Sequence, residues 1–309
     1  MSKLTYKDYW FNYVVDEEPE KIKELIHEEY ISSQGIKIHL DIFDTKEKDL
    51  DKTIIFCHGT SVYSRFYAEW LYNLYKKRFR VVALDLPGHG LSGGKRGHFN
   101  MKLLSKAIYD VNTWVIENYG HRNAIMGSSL GGINALYSAA FDDDRLFGAV
   151  CHNAAIFNEK AYQKIIEMNL KLKLLLPFIP VAAKIAPKAQ FSVFLYLDFY
   201  RLCKTERFSK RIPLLLDDEI LADKYTTTAI RTQMKAPLAK PIEKIKTPVM
   251  IINGEKDVLF SKDYMEEIYN RLTCPNKKLE IIEDASHLIF QENISVCLEK
   301  IVPWLNNIL

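Results

Sequence analysis

An α/β architecture, with a mainly parallel sheet covered by helices on both faces and interrupted by one large helical insertion, is the fold class this 309-residue sequence predicts. Short apolar runs alternate with segments of helix length, which is the signature of βαβ units. Most of these runs are predominantly apolar instead of alternating strictly with polar residues, as in strands buried on both faces. Glycine marks the insertion: the chain has 13, yet none lies between Gly148 and Gly254.

In chain order, Ile31 to Phe43 contains a Gln34-Gly35 break between two strand-like pieces and predicts an antiparallel hairpin at one edge of the sheet. Thr53 to Cys57, Val81 to Leu84, Ala124 to Met126, Leu146 to Cys151, Val249 to Ile252 and Leu279 to Ile282 supply the remaining strands. Helical spacing of apolar residues recurs over Arg65 to Lys77, Met101 to Tyr119, Leu130 to Ala140, Lys262 to Leu272 and Asn293 to Leu305. Residues 152–241 break this rhythm and read as helices separated by Pro177, Pro180, Pro187, Pro213, Pro237 and Pro241. Within them Ala161, Ile165, Met168, Leu172, Leu175 and Leu176 keep helical spacing, with Lys160, Lys164, Glu167 and Lys171 on the opposite face. The expected organisation is therefore a core of residues 1–151 and 242–309 carrying a helical cap at 152–241.

The composition, 48% apolar and 26% charged, suits a chain that buries a substantial core. A net charge of +3 excludes a whole-chain argument for nucleic-acid binding. Charge is nonetheless uneven: residues 152–241 hold 15 Lys and Arg against 8 Asp and Glu, a surplus of seven, which leaves the rest of the chain at −4. The insert is also apolar in places, with eight of the ten residues from Phe191 to Tyr200 apolar or aromatic. Lys171, Lys173, Lys184 and Lys188 interrupt it, so no run reaches the roughly 18 apolar residues of a membrane span. One reading is a subdomain packing its own core behind a solvated basic face. The other is an acyl-binding lid whose basic face approaches an anionic membrane surface. The first residues, Met1 to Trp10, carry no apolar core of signal-peptide length, which predicts a cytoplasmic protein. Cys57, Cys151, Cys203, Cys274 and Cys297 are scattered without metal or redox spacing and are expected as reduced thiols.

Gly127-Ser128-Ser129-Leu130-Gly131 fits G-x-S-x-G directly after a strand and directly before a helix. A turn that tight strains its middle residue and lifts the Ser129 hydroxyl clear of the sheet. Because a serine hydroxyl is a poor nucleophile, it needs a base, and the base needs a carboxylate to fix its tautomer. Of the eight histidines, His287 alone lies well downstream, on a short loop after the last strand. Asp257, just past the strand Val249 to Ile252, is the best candidate acid, with Glu255 and Asp263 as competitors. An oxyanion hole requires converging backbone N–H groups, and Leu130 and Thr60 are the expected donors. His58, two residues before Thr60, is expected to brace that loop.

The chain resembles the α/β-hydrolase fold family, and within it the monoacylglycerol lipase and lysophospholipase-like group. The resemblance rests on His58-Gly59, Ser64-Arg65-Phe66-Tyr67, the segment from Asp85 to His98, Gly127 to Gly132, Asp257 and His287. It implies an eight-stranded sheet with a cap inserted after the sixth strand, and ester hydrolysis without cofactor or metal. Ser128 departs from the group, where many members have histidine, and so does Asp284, where glycine often precedes the catalytic histidine. The insert matches no motif. The expected function is a serine esterase acting on a lipid-like acyl ester such as a monoacylglycerol or lysophospholipid. An acyl thioesterase, a serine aminopeptidase and a non-catalytic binding protein on the same scaffold are the alternatives.

Overall fold

The computed structural model describes residues 11–44, 50–161 and 176–309. The amphipathic spacing expected over 161–176 lies almost wholly outside these residues, as does the segment Met1 to Trp10. The described residues form ten strands: β1 Ile26–Ser33, β2 Ile36–Phe43, β3 Thr53–Cys57, β4 Arg80–Leu84, β5 Asn123–Ser128, β6 Ala149–His152, β7 Gln190–Ser192, β8 Lys224–Thr226, β9 Val249–Gly254 and β10 Lys278–Ile282. Eight form one sheet in the order β1-β2-β4-β3-β5-β6-β9-β10. β2 pairs antiparallel with both β1 and β4, and every later pairing is parallel. Gln34 and Gly35 make the hairpin turn between β1 and β2, both with positive φ (51° and 76°).

Alternate residues along the strands feed two separate cores. Ile54, Phe56, Ala124, Met126, Met250 and Ile252 face one side with α2 (Ala68–Lys76) and α12 (Ile294–Ile308). Ile55, Cys57, Ile125, Cys151, Val249 and Ile251 face the other with α3 (Met101–Tyr119), α4 (Leu130–Phe141) and α10 (Lys262–Arg271). Full burial on both faces is why these strands read as unbroken apolar runs. α1 (Pro19–Leu25) precedes β1. α12 continues to Ile308 with Pro303 inside it.

The chain leaves β3 for β4 on one side, then crosses to β5 on the other. The carboxyl ends of β3 and β5, in register at Cys57 and Gly127, therefore flank a switch point, where open α/β sheets form their clefts. Between β6 and β9 the described residues form α5 (Ile179–Ile185), α6 (Phe199–Leu202), α7 (Glu206–Ser209), α8 (Ile212–Leu216) and α9 (Thr227–Lys235). Two features differ from the sequence expectation. β7 and β8 pair as a short antiparallel ribbon within a segment expected to be helical. Pro180 and Pro213 sit in the first turns of α5 and α8, where the missing N–H costs nothing, so they start helices as well as end preceding ones. Among the described residues no helix is long and apolar enough to cross a membrane.

Candidate active site

Ser129 sits between β5 and α4 with φ 56° and ψ −119°, a region an L side chain occupies at a cost of about 1–3 kcal/mol. Close backbone contacts hold it there. A Cβ on Gly127 would lie 2.1 Å from the carbonyl oxygen of Gly131, and one on Gly131 would lie 2.0 Å from that of Cys57. The Ser129 N–H donates to the His152 carbonyl at 2.9 Å, and its own carbonyl accepts from Ile133 at 3.0 Å. Among the described residues, the side chain borders two small cavities.

The cavities share Thr60, Ser129 and Leu197. The larger, about 60 Å³, runs between Leu130, Ile133, Phe157, Leu259 and Phe260, with Gln233 as a polar member. The smaller, about 20 Å³, reaches His287 and is closed by Phe199 and Leu202. Leu130 is the first residue of α4, so its N–H has no partner within the helix and lies at the positive end of the helix dipole. Thr60 follows Gly59, whose Cα approaches so closely that a Cβ would come within 3.4 Å of Ser129 Cβ. The loop is braced by His58, which donates from Nδ1 to the Gly59 carbonyl (2.8 Å) and accepts the Leu86 N–H at Nε2 (3.0 Å).

His287 and Asp257 meet as the sequence order anticipates. Nδ1 of His287 lies 2.8 Å from Asp257 Oδ2, with both residues buried. Asp257 also accepts from the N–H groups of Leu259 (2.8 Å) and Phe260 (3.1 Å) and from Asn153 Nδ2 (2.9 Å). Burial alone would raise its pKa, but the adjacent imidazole and these donors outweigh it and hold the carboxyl down at about 2. The competing acids are placed elsewhere. Glu255 accepts the Asp284 N–H at 2.9 Å, and Asp263 is exposed in the first turn of α10. Ser129 and His287 border one cavity, although no hydrogen bond joins their side chains among the described residues. Such bonds commonly tighten only around substrate.

Three residues not singled out in the sequence complete the setting. Asn153, at φ 65°, bridges Asp257 and Asn253. His152 is fully buried, with Nδ1 2.9 Å from Ser128 Oγ and its ring centroid 5.3 Å from that of His287. Burial and the neighbouring His287 push the His152 pKa down to about 3, so it stays neutral. The signal for all three is position: His152-Asn153 and Asn253 are polar residues at or just past the carboxyl ends of the adjacent buried strands β6 and β9. The two departures from the resembled family acquire physical readings as well. Ser128 is the hydrogen-bond partner of the His152 imidazole. Asp284 adopts φ 57°, a conformation that favours glycine, and is held by ion pairs with Lys204 and Lys256.

Among the described residues, two clusters gather metal-ligating atoms within 4.8 Å of one another: His152, Asp257 and His287, and Glu28, His39 and Asp41. In the first, the His287 Nδ1 proton occupies the Asp257 carboxylate. In the second, Arg65 pairs with both Asp41 and Glu28 at 2.8 and 2.7 Å.

A family model described as serine aminopeptidase, S33 matches residues 48–294. The chain belongs to that family. A phospholipase, YtpA of Bacillus subtilis (strain 168), is 24% identical over 246 residues, covering 77% of this chain and 88% of that protein. A putative non-heme haloperoxidase of Mycobacterium phage D29 is 30% identical over 134 residues, which is 43% of this chain and 45% of the phage protein. Among solved structures, the monoacylglycerol lipase of Paleococcus ferrophilus superposes with a TM-score of 0.73 at 23% identity, covering 88% of this chain and 99% of that one. At that identity the likeness establishes the fold, an α/β-hydrolase sheet with its helices. This family member thus has the α/β-hydrolase fold.

Proposed function

We propose that this hydrolase cleaves carboxylic esters through an acyl-enzyme on Ser129. Ser129 attacks the carbonyl carbon while His287 takes its proton, Asp257 steadies the resulting imidazolium, and the N–H groups of Leu130 and Thr60 receive the oxyanion. His287 then returns the proton to the leaving alcohol, and water releases the acyl group by the same route. The observation that carries this reading is a buried, ionised carboxylate bonded to an imidazole that shares a cavity wall with a strained serine.

The substrates we put forward are lipid-like acyl esters, with monoacylglycerols and lysophospholipids as the reference class. The lining of the larger cavity is mostly apolar, and among the described residues neither cavity is lined by a carboxylate that would pair with the α-ammonium of a peptide. This favours an ester over an aminopeptidase substrate. At about 60 Å³, the larger cavity is less than half the roughly 150 Å³ void that admits benzene, which favours short acyl groups. Longer chains require the segment between β6 and β9, which we read as a cap, to shift. Phe178, Val181 and Ile185 lie exposed on and beside α5, with Lys184 and Lys188 close by in sequence, a pattern suited to peripheral contact with an anionic lipid surface.

Turnover of a p-nitrophenyl ester series tests the assignment. Ser129→Ala is expected to lower hydrolysis of the acetate by at least about 10³-fold with the fold intact by circular dichroism. Near-normal hydrolysis by that variant would refute it. In wild type the acetate and butyrate are expected to exceed the decanoate in kcat/KM unless lipid surfaces are added.

A further inference from the structure

The loop that carries His287 is held from two sides. The core supplies one hold: Glu255 and Lys256 N–H groups donate to the carbonyls of Ile282 and Ala285 at 2.9 and 2.8 Å. The inserted segment supplies the other, through the four residues Leu202 to Thr205. Glu292, which closes α11 (Ile289–Glu292) five residues after His287, receives four donors from that stretch. Its carboxylate accepts the N–H of Lys204 (3.0 Å), the N–H and hydroxyl of Thr205 (2.6 and 2.5 Å) and the thiol of Cys203 (3.1 Å). On the other side of His287, Ser286 Oγ lies 3.0 Å from Glu292 Oε2 and 2.9 Å from the Leu202 carbonyl. Lys204 Nζ donates to the Asp284 carbonyl at 2.6 Å and pairs with its carboxylate. Residues before and after His287 thus bond to one short stretch of the insert, and Leu202 of that stretch lines the cavity holding Ser129 and His287.

From this geometry we infer that Glu292 is a positioning residue: it sets the alignment of His287 by tying its loop to the seated insert. The inference rests on the reading of His287 as the base. A carboxylate is the chemistry this site needs, because every partner on the Leu202 to Thr205 stretch is a donor and an amide would turn one N–H against them. When the insert lifts, these bonds break together and the imidazole loses half of its loop's support. Substrate admission and base alignment are then linked through one side chain that does not itself touch the reacting atoms.

The test compares Glu292→Gln, Glu292→Ala and Glu292→Asp with wild type, at a temperature where circular dichroism shows each folded. Steady-state hydrolysis of p-nitrophenyl acetate is read with its pH profile. Glu292→Ala is expected to lower kcat on the order of 10- to 100-fold with KM nearly unchanged, as a displacement of about 1 Å would. The acidic limb of kcat/KM is expected to move, and Glu292→Asp to recover part of the loss. A folded Glu292→Ala with wild-type kcat and pH profile overturns the inference. If that variant does not fold, Lys204→Ala combined with Thr205→Val decides from the insert side: a fall in kcat supports the link and an unchanged kcat overturns it. Fluorophosphonate labelling of wild type at Ser129 separates the two levels. Unlabelled wild type overturns the underlying reading and this inference with it, whereas labelled wild type with indifferent Glu292 variants overturns this inference alone.

Discussion

His39–Asp85 and His287–Asp257 are nearly the same object placed in two regions of the molecule. In each, Nδ1 lies 2.8 Å from a buried carboxylate that also accepts two backbone N–H groups. What differs is the far side of the ring. His39 Nε2 faces Glu28 Oε1 at 3.3 Å and Asp41 Oδ1 at 3.6 Å, with the Arg65 guanidinium closing the cluster. Burial alone would lower the His39 pKa, but carboxylates on both sides push it up to about 9. An imidazole that holds its proton at neutral pH cannot accept one from a serine. His287 has a carboxylate on one side and shares a cavity with Ser129 on the other. On the function proposed above, a histidine–carboxylate pair serves as a base only where one ring face is left open to the nucleophile.

The contrast is sharpest at the two carboxylates. Asp257→Asn is expected to reduce kcat by about 10⁴-fold through the wrong imidazole tautomer, read by ester turnover on folded protein. Asp85→Asn is expected to leave kcat per folded molecule near wild type but to lower stability by about 3–5 kcal/mol, read from the urea midpoint, because it removes the closest of the carboxylates that balance a buried charged imidazole. Comparable losses of kcat in the two variants would erase the distinction. The next effect is on pH. The folded pKa of His39 lies above its unfolded value of about 6.5, so its contribution is complete below about 6.5 and is lost as pH rises through 9. The Asp257 shift runs the other way: its contribution is full above about 3.9 and is lost as pH falls through 2. Urea midpoints measured from pH 6 to 10 should fall in wild type and fall less in His39→Gln. The smallest effect is expected at Asn153→Gly, which tolerates φ 65° but removes one hydrogen bond to Asp257. A loss of about 1.5 kcal/mol, roughly tenfold in kcat, is expected from the same assay.

The core was largely legible because its strands are buried on both faces. Thr53–Cys57 and Met101–Tyr119 have the bounds their apolar patterns indicate, and the order Ser129, Asp257, His287 located three loops at one end of the sheet. The His39–Asp85 pair was not legible, since 46 residues and no shared motif separate partners that only strand pairing brings together. Asn153 and His152 escaped notice for a related reason: their role depends on β6 lying beside β9. In the insert, three-residue strands such as Gln190–Ser192 are too short to show any period, so the β7–β8 ribbon was invisible among prolines that pointed to helices.

The backbone of Ser129 carries one more implication. Its positive φ is a cost in folding that the tight backbone packing of the β5–α4 turn imposes on any residue with a Cβ. Replacing it with alanine keeps that burden, whereas glycine sheds it, so Ser129→Gly should melt above Ser129→Ala despite the usual entropic disadvantage of glycine. The order of the two melting temperatures therefore reports how much of the strain at Ser129 belongs to its Cβ.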